Sequence, residues 1–140
     1  MRRITFVGVV FAMLLGIPTL SGHGKEPKKD EKLHELMQRK LAASQKVLEG
    51  IALNDFDKIG KQADELIAVS KQTEWRVLKT PQFELHSNDF RRIADNLAKN
   101  AKDKNLDGAA LSYVELTLTC VKCHKYVRET RDTGTDEPGY

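Results

Sequence analysis

Apolar residues recur along this chain at intervals of three and four, the spacing that places side chains on one face of an α-helix. Between about Asp30 and Gly50 the positions Leu33, Met37, Leu41, Ser44, Leu48 and Ile51 form such a stripe. Leu36 and Val47 widen it, with Lys, Gln, Arg and Glu opposite. Gly50 and Asn54-Asp55 read as a stop followed by a new N-cap. A second helix is predicted from about Asp55 to Trp75, with Phe56, Ile59, Ala63, Leu66, Ile67 and Ser70 inward. Thr80-Pro81 breaks the pattern, because a residue before proline avoids helical dihedrals. A third helix is expected over roughly Ser87 to Lys104, its start as early as Phe83, with Phe90, Ile93, Ala94, Leu97 and Ala101 facing in.

The last element, about Asp107 to Arg131, is mixed. Tyr113 to Thr119 alternates like a strand and is rich in strand-preferring residues. Yet Ala109, Tyr113, Leu116, Cys120, His124 and Val127 fit a helical stripe, and no other segment offers a strand to pair with. Helix is therefore the reading, and four amphipathic helices with short connectors define an all-α, antiparallel four-helix bundle. Its interior has room for a flat cofactor.

The two ends do not share this pattern. Arg2-Arg3, an uncharged run from Ile4 to about Leu20 and the exit Ser21-Gly22-His23-Gly24 have the order of a secretory signal peptide. The run is at the lower limit for a membrane span and carries Gly16 and Pro18 near its end. Residues 1–24 are thus expected to be removed, leaving a bundle domain over 25–131 with no membrane span, and a disordered tail over 132–140. Composition changes this picture only in one respect. The whole chain has 23 basic and 20 acidic residues, but cleavage would leave 116 residues with 21 basic and 20 acidic. A near-neutral domain lacks the basic stripe expected of a nucleic-acid binder.

Both cysteines of the chain lie in Cys120-Val121-Lys122-Cys123-His124. C-x-x-C-H is the signature of c-type haem attachment. On a helix, Cys120, Cys123 and His124 stand at i, i+3 and i+4 and share one face. The thiols can add to the haem vinyl groups as thioethers while the imidazole reaches the iron. Three other uses fit the motif less well. A structural zinc site closes with four ligands, and no second paired set such as H-x3–5-H is present. A thioredoxin-like dithiol belongs between a strand and a helix, and a disulfide across so short a loop stabilises little. Export agrees with haem, since c-type attachment takes place outside the cytoplasm in bacteria.

A C-x-x-C-H motif near the C-terminus, on the fourth helix of a small exported bundle, resembles the cytochrome c-prime family and its low-spin class II relatives. Arg128, four residues after His124, stands where the family carries a basic residue, and Val47-Leu48-Glu49-Gly50 looks like the family's first helix junction. The resemblance covers about residues 30–131. It implies one covalent haem c held by Cys120 and Cys123, with His124 as the proximal iron ligand and Arg128, one turn on, as a propionate contact or a neighbour of the proximal imidazole. In the low-spin relatives a methionine of the first helix ligates the iron, and Met37 falls close to that position. In c-prime proteins an apolar residue blocks the distal face instead, at a position nearer His34 here. His34 otherwise reads as an edge residue, and His86 as a satisfied, partly buried one.

The resulting expectation is a periplasmic monohaem cytochrome that carries single electrons between redox proteins and is not an enzyme. The alternative is a five-coordinate, c-prime-like protein that binds NO or CO at an open distal site. A peroxidase would want a distal His or Arg, for which only His34 is a candidate. Lys122, Lys125, Arg128 and Arg131 cluster around the motif and would steer an acidic redox partner. A homodimer is implied by the family alone.

Overall fold

The computed structural model describes residues 29–72 and 75–134; the leader read over 1–24 and residues 135–140 of the tail lie outside them. Four helices follow one another: α1 (Lys29–Ala52), α2 (Phe56–Ser70), α3 (Pro81–Lys102) and α4 (Leu106–Thr133). There is no strand among the described residues. The alternating stretch Tyr113–Thr119 lies inside α4, as the lack of a pairing partner required. Two residues of the expected tail, Asp132 and Thr133, extend α4 to its left-handed cap at Gly134.

Each boundary has a local cause. Asp55 accepts from the Lys58 N–H at 2.9 Å and caps α2. Thr80 caps α3 by accepting from the Phe83 N–H at 3.2 Å, and Pro81 occupies the first helical position. That corrects the expected start near Ser87. Proline excludes the helix only from the residue before it, Thr80, and its own fixed φ suits a first turn. Similarly, α2 stops at Ser70 rather than Trp75. The Ser70 hydroxyl turns back to the Ile67 carbonyl at 2.8 Å, and the next two N–H groups bond three residues back. Trp75 is thereby freed from the helix and enters the core, where its indole N–H donates to Ser87 Oγ at 3.0 Å and its ring meets Phe90 at 5.5 Å.

The helix junctions α1–α2 and α3–α4 are closed alike. Asp55 N–H bonds the Gly50 carbonyl at 2.8 Å and Asn105 N–H bonds the Asn100 carbonyl at 2.9 Å, with Asn54 and Lys104 at φ 55° just before. Gly50 was read as a helix stop; it lies instead in the last turn of α1, where a side chain would come within 2.8 Å of Ile59 Cγ1. Its role is close helix approach. Lys104 is the costly residue of the pair, since only glycine and, less readily, asparagine take this conformation easily. Lys104→Gly is expected to raise stability by about 1 kcal/mol, read as a higher denaturant midpoint.

The core runs through Val47, Ile59, Leu66, Val69, Phe90, Ile93, Leu97 and Leu116, each nearly or fully shielded from solvent. All five inward residues expected for α3 are buried. Neighbouring helices pack along their lengths at α1–α2, α2–α3 and α3–α4, whereas α1 and α4 approach only at a few residues. The bundle is therefore open along one seam. Arg39 and Glu65 tie α1 to α2 through 2.7 and 3.1 Å bonds, and Thr80 Oγ1 meets the Tyr126 hydroxyl at 2.6 Å to tie the start of α3 to α4.

The register of α1 departs from expectation in part: Leu36 and Val47 are buried as expected, whereas the main stripe is half-buried or exposed. Its buried line is Leu36, Lys40, Ala43, Val47 and Gly50, while Leu41 and Leu48 are 53% and 52% exposed. The stripe picked out by leucine and methionine spacing is thus a second apolar face, turned away from α2. Four of its members, Leu33, Met37, Leu41 and Ser44, line the seam toward α4.

Candidate functional site

Two cavities share the α1/α4 seam. One of about 300 Å³ is walled by Leu33, Met37 and Lys40 from α1, by Trp75, Val77 and Phe83, and by Cys123, His124, Val127, Arg128 and Arg131 from α4. The other, about 390 Å³, adds Leu41, Ser44, Leu66 and Phe90 to a wall of Tyr113, Leu116, Thr117 and Cys120. Met37, Lys40 and His124 border both, so the two form one groove. Its size falls in the range of small-molecule sites, and its lining is mostly apolar with a few polar groups.

Helix geometry delivers Cys120, Cys123 and His124 to this groove together. Both thiols are free and half-buried. Val121 and Lys122, the intervening residues, are exposed on the other side. Burial pushes the Cys123 thiol above its usual pKa, with nearby Lys40 opposing that shift. The His124 imidazole is held below its usual value, first by partial desolvation against the groove wall, then by the Lys40 and Arg128 cations. The residue nonetheless keeps an exposed edge. Both influences favour the neutral imidazole, the form that ligates metal.

On the facing wall stands Met37, half-buried and bordering both cavities. The other sequence candidates separate. His34 is exposed and absent from the groove walls. His86 faces elsewhere, with Gln82 at 3.1 Å and the Tyr126 ring at 5.5 Å. Arg128 is exposed at the groove rim beside His124 and Arg131. Around them, Lys125 pairs with Glu129 at 3.7 Å, so the basic cluster on α4 is partly offset by its own helix.

Lys40 went unnoticed in the sequence. It is 8% exposed, and its ammonium lies 3.8 Å from the centre of the Phe90 ring and 4.2 Å from that of Trp75. Burial lowers its pKa. The available signal was its position between Leu36 and Ala43 on the true buried line of α1.

A larger cleft, about 880 Å³, opens where the α2–α3 connector meets α3, bordered by Lys71, Arg76, Lys79 and Arg91. Its described walls hold neither thiol nor imidazole.

Among the described residues no three His, Cys, Asp or Glu side chains gather as a bare-ion site would need. A porphyrin makes a different demand, since it brings four nitrogens to its iron and asks the protein for axial donors and anchors. The groove offers an imidazole and a thioether on opposite walls and two thiols beside the imidazole. In donor set and apolar lining these residues suit haem. No described helix is long and apolar enough to cross a membrane. Comparison with protein-family models, with curated proteins and with solved structures finds no match to this chain.

Proposed function

We propose that the protein is an exported monohaem c-type cytochrome, a class II-like bundle, that passes single electrons between redox proteins. One observation carries this reading: C-x-x-C-H of α4 opens into the seam where α1 and α4 stand apart, facing Met37. A haem bound there supplies a one-electron Fe(III)/Fe(II) couple. The chain's part is to anchor and enclose it. Cys120 and Cys123 would hold the macrocycle by thioether bonds, His124 would offer its imidazole to the iron, and Met37 would offer its sulfur from α1. A thioether favours the ferrous state, so His/Met ligation raises the reduction potential. The second apolar face of α1, unexplained by helix packing, becomes the wall that keeps water from the porphyrin. Arg128 at the rim is placed to meet a propionate, and the remaining exposed cations of α4 to guide an acidic partner in the periplasm.

Met37→Ala tests the axial assignment. The wild-type ferric protein is expected to be low-spin with a weak near-infrared sulfur-to-iron band and little affinity for carbon monoxide. The variant should turn high-spin, lose that band and take up carbon monoxide readily. An unchanged variant spectrum rules Met37 out as a ligand, and ready carbon monoxide uptake by the wild type indicates an open-site gas binder instead.

A further inference from the structure

Lys40 has no use in the scheme above, and nothing in helix packing calls for a cation at its position. A lysine among apolar neighbours usually extends its amine to solvent; this one turns inward. Its ammonium lies over two aromatic faces, Phe90 at 3.8 Å and Trp75 at 4.2 Å. Aromatic faces attract a cation in place of the lost water. Among the described residues no carboxylate is paired with it. The charge is thus buried without a counter-ion. It also borders both cavities of the groove, close enough to Cys120, Cys123 and His124 to act on them electrostatically.

We propose that Lys40 holds a positive charge against the porphyrin within the α1/α4 groove and sets the reduction potential of the iron upward. The proposal rests on the haem reading given above. In an apolar groove a cation's field is weakly screened. Oxidation of the iron adds a positive charge beside it, so the ammonium opposes the ferric state and favours the ferrous one. Lys40 lies one helical turn beyond Met37 on the same wall, so thioether and ammonium act in the same direction. It is a tuning residue and not a ligand.

Purified haem-loaded wild type, Lys40→Met and Lys40→Arg give the test, by spectroelectrochemical titration alongside ferric absorption spectra. Methionine keeps the length and apolar stem without the charge; Lys40→Gln makes the same comparison should Lys40→Met fail to accumulate. The expected result is a lower midpoint potential in the neutral variant, return toward the wild-type value with arginine, and an unaltered sulfur-to-iron band throughout. An unchanged or raised potential in the neutral variants overturns the proposal. So does loss of the low-spin spectrum, which would make Lys40 itself an iron ligand. A wild-type protein without covalent haem fails differently, because it removes the reading beneath before any potential is measured.

Discussion

Replacing Cys120 and Cys123 together by serine is expected to abolish covalent haem attachment. In the proposed site each thioether would be a carbon–sulfur bond between α4 and a former vinyl group, which a serine hydroxyl does not form. Any haem still seated in the groove would be held by His124 and apolar contact alone, and acidified organic solvent would carry it away. Wild-type pigment should remain with the polypeptide under the same treatment. The single variants are expected to retain one bond each, because the two thiols lie one helical turn apart on α4 and each can form its own thioether. Equal extractability from the double variant and the wild type would mean that the thiols have another purpose.

Phe90→Ala is expected to be among the most damaging single substitutions for stability. The ring is 2% exposed, packs on Trp75, and forms part of the groove floor beneath the Lys40 ammonium. Truncation of a buried phenylalanine removes its transfer free energy and leaves a cavity, together about 3–5 kcal/mol. That is a large share of the roughly 5–15 kcal/mol that holds an ordinary domain. Equilibrium denaturation in urea would show the midpoint falling well below that of wild type. A change under 1 kcal/mol would show that the groove floor yields and refills, contrary to the tight packing of α3 against its neighbours.

What could be read in advance follows from how local the determinants are. Cys120, Cys123 and His124 are three residues of one helical turn, so spacing alone places them on a common face. Phe90, Ile93, Ala94, Leu97 and Ala101 belong to a helix packed between two neighbours, and periodicity gives their burial directly. On α1 the same logic found Leu36 and Val47 but centred the stripe on the neighbouring line. This helix carries two apolar faces, one against α2 and one along the seam, and the leucines and methionine of the seam led the stripe, leaving Leu36 and Val47 at its edge and Ala43 outside it. Lys40 was lost with Ala43, because a lysine counts as polar wherever its neighbours lie. Trp75 shows the other limit. In the core it bonds Ser87 and packs on Phe90, both in the next helix, and no pattern within α2 contains those partners.

The intact mass of the protein, purified from a host that attaches c-type haem and measured under denaturing and reducing conditions, tests the central claim most directly. A single species heavier than its polypeptide by one haem is the predicted result. A mass equal to the polypeptide alone, from protein whose thiols alkylate freely, would contradict it.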